Sequence, residues 1–166
     1  MKKRIVWLLV LMLLGAGICF TNAAFAANES NDAVRAAADQ FYIALNAMFV
    51  GNIAPMEALW AHTDDVVYMG PDGAFVVGWD NIRGVWEKQA AKKMGGKVTP
   101  DHMQIASGHH MGITYNYENG ENYDADGNLV KVSIRAVNVF HKNDDGEWKM
   151  TGHHTDLLPF LAEDTK

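Results

Sequence analysis

The residues of this sequence that are best suited to acid–base chemistry are His154 and Asp156, near its C-terminal end. They follow Trp148 in a run where apolar and polar residues alternate, which predicts a β-strand with one buried face. Alternation places Trp148, His154 and Asp156 on the same face. If that face looks into the core, the imidazole and the carboxylate reach the edge of a cavity, where they can share a proton and abstract one beside a carbonyl group. The alternative is a structural hydrogen-bonded pair.

Two further candidates lie on the preceding predicted strand. Arg135 shares one face with two valines, and Asn138 lies on the opposite face, which is also largely apolar. Period-two alternation does not decide which of these faces looks inward, so both residues stay candidates for a pocket. A buried guanidinium would anchor a ligand carboxylate, whereas the alternative is an ion pair with Asp156, with Asp64 or with a partner subunit.

The seven histidines raise the question of a metal site. His153 and His154 are adjacent in a strand and point to opposite faces, and no helix carries a metal-binding pair of histidines. Residues Asn122–Gly127 match the first half of a calcium loop, but Ser133 stands where the bidentate glutamate is needed. We therefore expect no metal. Because phosphate-binding and dinucleotide-binding motifs are also absent from the sequence, we expect no cofactor.

The N-terminal segment has the features of a secretion signal. Basic residues at positions 2–4 precede the apolar run Ile5–Phe20, and Ala24-Phe25-Ala26 is a small-residue cleavage site. We predict a signal peptide over residues 1–26, cleaved after Ala26, and a periplasmic or secreted protein with no stable membrane anchor. An uncleaved anchor and a lipoprotein attached at Cys19 are the alternatives.

Charge and cysteine content limit the partners of the mature chain. Cleavage removes three of the 14 basic residues and none of the 20 acidic ones, so the formal net charge moves from −6 to −9. That charge argues against nucleic acid and anionic membranes as partners. Cleavage also removes the only cysteine, so no disulfide can form and stability depends on one core. We expect a single domain over residues 27–166.

Hydrophobic periodicity predicts helices first and strands afterwards. We predict a helix from Asp32 (as N-cap) to Val50, a short helix near Pro55, strands Val66–Met69 and Phe75–Val77, a helix Asn81–Met94 capped by Asp80, and strands Val98–Ser107, Met111–Glu118, Leu129–His141 and Glu147–Leu157. Four consecutive strands joined by turns pair as an antiparallel meander, and helices gathered at one end of the chain cover one face of it. The fold class is therefore α+β.

Five local strings, in this order, resemble the nuclear transport factor 2-like superfamily. They are Leu59–Gly70, Gly78-Trp79, Arg135–Phe140, Gly146-Glu147-Trp148 and His153–Asp156. The chain looks most like the SnoaL-like and calcium/calmodulin-dependent kinase II association-domain-like groups. The resemblance implies a cone-shaped, bent antiparallel sheet wrapped around helices, a cavity at one end, and homodimers joined through the outer sheet face.

The resemblance also places three aromatic residues near the cavity, Tyr68, Trp79 and Trp86. Core packing is the alternative for each of them. Relatives often carry serine at the position of Asp156, so this carboxylate is a departure from the family pattern.

We therefore expect an exported protein that binds a small organic molecule in an apolar cavity. If it is an enzyme, the expected chemistry is a cofactor-free isomerisation, cyclisation or dehydration. Asp156 would be the base and His154 or Tyr68 the donor to a developing oxyanion. The alternative is a non-catalytic homo-oligomerisation or partner-binding module, which would fill the cavity with its own side chains.

Overall fold

The computed structural model describes residues 29–157, so the predicted signal peptide lies outside the described residues. Within that range the chain forms three helices and six strands, which confirms the α+β class. They are α1 (29–48), α2 (Ala54–Leu59), β1 (Val67–Met69), β2 (Phe75–Val77), α3 (Trp79–Lys92), β3 (Lys97–Ser107), β4 (Met111–Tyr123), β5 (Leu129–Lys142) and β6 (Trp148–Asp156). None of these helices is long and apolar enough to cross a membrane.

All six strands belong to one sheet, in the order β2-β1-β6-β5-β4-β3. Strands β3 to β6 form the predicted antiparallel meander, because each is joined to the next by a short turn. Strand β1, however, pairs parallel to β6, with Met69 opposite His154. The sheet is therefore mixed and not wholly antiparallel as predicted.

Helix α1 covers the inner face of this sheet. Its apolar residues recur at spacings of three and four, and Val34, Phe41 and Met48 on that stripe are fully or almost fully buried. They pack in one core with buried sheet residues such as Phe140. The helix is followed by Gly51, whose φ of 94° suits glycine and ends the helix as predicted.

Three predicted boundaries were wrong. Residues 29–31 are already helical, so Asp32 lies inside α1 and is not its N-cap. Helix α3 begins at Trp79 with Gly78 as N-cap, which leaves Asp80 in the first turn, where a carboxylate still favours the helix dipole. Strand β4 continues to Tyr123, because its ladder with β5 extends to the pair Tyr123 and Leu129.

An irregularity in β6 reverses the side-chain alternation on which the site prediction depended. Val139 of β5 pairs with Gly152, but the next residue pairs with Met150, so Thr151 is an extra residue in β6. Such a β-bulge shifts every later side chain to the other face of the sheet. Met150 is buried as predicted, but beyond the bulge it is His153 that is buried, together with Thr155.

Close packing of α1 on β4 gives a stability prediction at Gly112. A Cβ atom added there would overlap with Cγ2 of Val34. We expect Gly112→Ala to lower the free energy of unfolding by about 1–3 kcal/mol, as overpacking does, in urea denaturation. The matched control is Gly84→Ala in α3, where the added Cβ atom has no neighbour within 4 Å. The free energy of unfolding of this control should rise by about 0.5–1 kcal/mol. Equal effects of both substitutions would contradict this packing.

Candidate functional site

A cavity of about 180 Å³ lies between α1, α3 and the inner face of the sheet. Its apolar wall includes Phe49 of the α1–α2 connection, Tyr68 of β1 and Trp86 of α3. Its polar groups include Glu118 of β4 and His153 of β6, two strands that flank β5 and carry these side chains onto the same sheet face. The cavity therefore combines aromatic walls with two ionisable side chains.

Glu118 is the acidic residue of the cavity. Its side chain is buried, with 4% of the residue exposed. Burial raises the pKa of Glu118 to about 7, and a hydrogen bond from Tyr42 only partly offsets that rise. None of the described residues that line the cavity is a lysine or arginine. Glu118 can therefore both take up and release a proton near neutral pH.

A buried network orients the Glu118 carboxylate. The Tyr42 hydroxyl donates to Glu118 Oε1 at 3.2 Å and accepts from Asn116 Nδ2 at 2.7 Å. Burial, followed by the charge of Glu118, raises the pKa of Tyr42 well above its usual range. Tyr42 therefore stays protonated and keeps donating to Oε1. The other carboxylate oxygen, Oε2, has no hydrogen-bond partner among residues 29–157.

His153 is held neutral and in one tautomer. Burial, followed by the charge of His154, lowers the pKa of His153 to about 3. The Asn138 amide nitrogen donates to Thr114 Oγ1 at 3.1 Å, so Asn138 Oδ1 accepts the hydrogen of His153 Nδ1 at 2.7 Å. The second ring nitrogen, Nε2, is then an acceptor. His153 therefore adds a hydrogen-bond acceptor to the cavity, not a cation.

Tyr68 supplies a protonated hydroxyl to the same cavity. Burial, followed by the charges of Asp72 and Glu118, raises the pKa of Tyr68 to about 12. The backbone of Gly70 passes close to this hydroxyl, because a Cβ atom at Gly70 would lie 2.7 Å from it and 2.8 Å from Asp72 Oδ1. Only glycine fits there without moving the phenol. The Tyr68 hydroxyl is thus a donor of the type that stabilises a developing oxyanion.

Comparison with protein families agrees with this architecture. A family model described as the SnoaL-like domain matches residues 34–157. The chain belongs to the SnoaL-like family. No curated protein matches it, so its assignment depends on this family and on solved structures of the same fold.

Several solved structures share the fold of this SnoaL-like chain. A candidate dehydratase of the NTF2-like family from Streptomyces avermitilis is 20% identical, with a TM-score of 0.68 over 79% of this chain and 98% of the other. A candidate calcium/calmodulin-dependent protein kinase type II association domain from Thiobacillus denitrificans is 22% identical, with a TM-score of 0.61 over 75% and 94%. A candidate ketosteroid isomerase from Shewanella frigidimarina is 20% identical, with a TM-score of 0.59 over 72% and 91%. At these identities the likeness shows the fold alone.

Of the three aromatic residues predicted near the cavity, two line it and one does not. Trp86 and Tyr68 line the cavity and contact each other edge to face, with ring centroids 4.9 Å apart. Trp79 is not among the residues that line the cavity. Its ring stacks on His62 at 4.4 Å and on Trp60 at 6.3 Å. The buried Nε1 atoms of Trp86 and Trp60 have no partner among the described residues, so these indoles contribute apolar surface and no hydrogen bond.

The predicted pair His154 and Asp156 does not face the cavity. Because of the bulge at Thr151, both lie on the outer face of the sheet, where they and Arg135 line a second pocket of about 450 Å³. Arg135 Nε donates to Asp156 Oδ1 at 3.1 Å, and both side chains are partly exposed. The hydrogen bond from Arg135 holds the pKa of Asp156 below its usual range. The predicted placement of Asp156 and His154 on the core face was therefore wrong, and their roles as base and donor stay a prediction.

Arg135 lies on the outer face because of the regular alternation of β5, where it forms the ion pair with Asp156 that was the alternative to a ligand anchor. Asn138, the rival on the opposite face, is fully buried, but it does not line the cavity. Instead it lies next to His153 and fixes its ring. Among residues 29–157, no three His, Cys, Asp or Glu side chains converge in a way that could hold a metal ion.

Because Asp156 lies on the outer face of the sheet, Asp156→Asn should have little effect on stability or on ligand binding in the cavity. An exposed ion pair contributes about 0–1 kcal/mol, so the free energy of unfolding should change by no more than that. Ligand binding in the cavity should stay unchanged, because the carboxylate lies on the other side of the sheet. Calorimetric titration and urea denaturation of the variant measure both quantities. A marked loss of affinity in a stably folded variant would place the site on the outer face instead.

The two central residues of the cavity, Glu118 and His153, were not predicted from the sequence. A signal for Glu118 was available, because Thr114, Asn116 and Glu118 form a polar stripe at period two along β4. The opposite stripe carries the larger apolar side chains Tyr115 and Tyr117, which suggest a core face although they are exposed. The signal for His153 was Gly152, because a glycine inside a strand often marks a bulge.

Proposed function

We propose that this chain is an exported, cofactor-free enzyme that binds a small, largely apolar carbonyl compound in the cavity and transfers a proton between two positions of it. Isomerisation is the simplest reaction of this type, and dehydration begins with the same proton abstraction. The observation that carries the proposal is Glu118, a buried carboxyl that titrates near neutral pH in an aromatic cavity. Export is proposed from the N-terminal signal sequence, with the periplasm or the exterior as destination.

The cavity residues support a simple sequence of steps. The Glu118 carboxylate removes a proton from the carbon beside the substrate carbonyl, which leaves an enolate. The Tyr68 hydroxyl donates a hydrogen bond to the enolate oxygen. In a substrate with a β,γ double bond the enolate is a dienolate, and the protonated Glu118 returns the proton to its γ-carbon, which moves the double bond into conjugation with the carbonyl and regenerates the base. His153 Nε2 accepts a hydrogen bond from a substrate hydroxyl and so positions the substrate.

The test is an exchange experiment with a panel of enolisable ketones in heavy water. We expect the wild-type protein to accelerate deuterium incorporation beside the carbonyl for some members, measured by NMR, and to retain a small molecule in native mass spectrometry when purified from its export compartment. A mature, folded protein that accelerates exchange for no ketone of the panel would contradict the proposed catalysis.

The non-catalytic alternative predicts a cavity filled by the chain's own side chains. The open volume and its two ionisable groups favour the enzyme over that alternative. Both hypotheses include a homodimer, and we propose that the outer sheet face joins two copies. This face exposes Met111, Tyr115, Tyr117, Tyr123 and Leu129. Exposed apolar side chains grouped in this way are typical of an interface.

The dimer can be tested at the centre of that face. Tyr115 is 47% exposed and lies opposite Val137, and a lysine there would put a charge into an apolar contact, so we expect Tyr115→Lys to shift the protein toward the monomer in light scattering. The control is Asp145→Lys in the β5–β6 turn, which should leave the mass at that of a dimer. A wild-type protein that is monomeric at high concentration would contradict the proposed interface.

A further inference from the structure

We infer that the cavity selects an uncharged single-ring compound that carries a carbonyl group, and discriminates against carboxylates of the same size and against multi-ring compounds. This inference names the substrate class of the proposed site and therefore rests on the proposed function. It follows from three properties of the cavity, namely its size, its walls and its charge.

The size of the cavity limits the ligand to one ring. Its volume is about 180 Å³. An apolar protein cavity of about 150 Å³ holds benzene, whereas pockets for drug-sized ligands measure about 300–1,000 Å³. The cavity is therefore only slightly larger than a site for an unsubstituted ring. A ring with one short polar substituent fits within the walls, whereas part of a fused multi-ring compound would lie outside them, because the cavity opens to solvent.

The walls favour a flat apolar ligand. Trp86 and Tyr68 present aromatic surfaces at an interplanar angle of 67°, and Phe49, Met48 and Leu45 add apolar surface from the α1 side. A planar ring can contact one aromatic wall with its face and the other with its edge, which are the arrangements that aromatic pairs prefer. The carbonyl oxygen then points to the Tyr68 hydroxyl, which is protonated and can donate a hydrogen bond, and the carbon beside the carbonyl lies toward the Glu118 carboxylate.

The charge of the cavity excludes anions. No described lining residue is a lysine or arginine, and the neighbouring His153 is neutral because of its burial. A ligand carboxylate would lose its hydration without gaining a cation, and it would meet the Glu118 carboxylate in a site of low dielectric constant. A ligand ammonium group would find one carboxylate, but the desolvation of a buried pair can exceed the Coulombic gain. An uncharged ligand has neither cost.

Calorimetric titration of the mature wild-type protein at pH 8 tests the inference with four probes: acetophenone, benzoate, benzylamine and progesterone. We expect saturable binding of acetophenone, and affinity for benzoate at least about tenfold weaker. Progesterone should show no saturable binding. Tighter binding of benzoate, benzylamine or progesterone than of acetophenone would overturn the inference, and so would saturable binding of none of the four.

The variant Glu118→Gln shows whether the carboxylate causes the discrimination. It keeps the size of the side chain but not its charge, so the difference between acetophenone and benzoate should shrink several-fold. An unchanged ratio would also overturn the charge argument. Exchange of the acetophenone methyl protons separates this inference from the proposed function. Binding of acetophenone without exchange would contradict the proposed catalysis but support the inferred selectivity. Exchange confined to charged or multi-ring ketones would support the catalysis but contradict the selectivity.

Discussion

Replacing Glu118 with glutamine is expected to lower the proton-exchange rate of this protein by about 10²–10⁴-fold, the usual contribution of a positioned general base. Glutamine fills the same space, and its amide oxygen can still accept the hydrogen bond of Tyr42, but it cannot take up a proton. In the wild type, the rate should rise with pH and level off above about 7, where Glu118 is ionised. The measurement is NMR-detected exchange of an enolisable ketone from pH 5 to pH 9.

The matched control is Asp156→Asn, which makes the same chemical change on the outer face of the sheet. It should keep the wild-type rate and the wild-type pH profile. If the Asp156 variant lost the activity while Glu118→Gln kept it, the assignment of the base to the cavity would be wrong.

Glu118 should also make the stability of the protein depend on pH. Burial raises its pKa from 4.5 to about 7 in the folded state, so the folded protein holds this proton more tightly than the unfolded chain. The resulting stabilisation is fully present below about pH 4.5 and is lost as the pH rises through 7. Its size is on the order of 3 kcal/mol. Urea denaturation gives the free energy of unfolding of the wild type and of Glu118→Gln between pH 5 and pH 8. The change with pH in the difference between these two free energies measures the contribution of Glu118.

His153 affects the pH dependence of stability in the opposite direction. Because both proteins contain His153, its contribution cancels in the difference between their free energies of unfolding. Its folded pKa is lowered from 6.5 to about 3, so its contribution is complete above about pH 6.5 and is lost as the pH falls through 3. Parallel stability curves for the wild type and Glu118→Gln would show that the carboxyl at position 118 is not desolvated in the folded protein.

The fold could be predicted from the sequence because its signals are local. Apolar spacings of three and four define α1, and turn residues between alternating runs define the strands β3 to β6. The parallel pairing of β1 with β6 has no such local signal, because it joins residues that are far apart in the chain. For the extra residue Thr151 the local signal is limited to Gly152, since a bulge is fixed by the register of two strands.

The site was mispredicted for the same physical reason. The alternation that begins at Trp148 is correct up to Met150, but one extra residue exchanges the faces of His153 and His154. On β4, hydrophobicity indicates the wrong inner face, because Tyr115 and Tyr117 are exposed whereas Glu118 is buried. A polar stripe turned inward and an apolar stripe turned outward are unfavourable for a simple core. The pattern makes sense when the inner face builds a reactive cavity and the outer face an interface.

The most direct test is an NMR titration of the Glu118 side-chain carboxyl carbon in the mature protein. The signal can be assigned by its absence from the spectrum of Glu118→Gln. The cavity described here predicts a titration midpoint near pH 7. A midpoint near 4.5, the value of an ordinary exposed glutamate, would contradict it, because Glu118 would then be solvated and already ionised well below neutral pH.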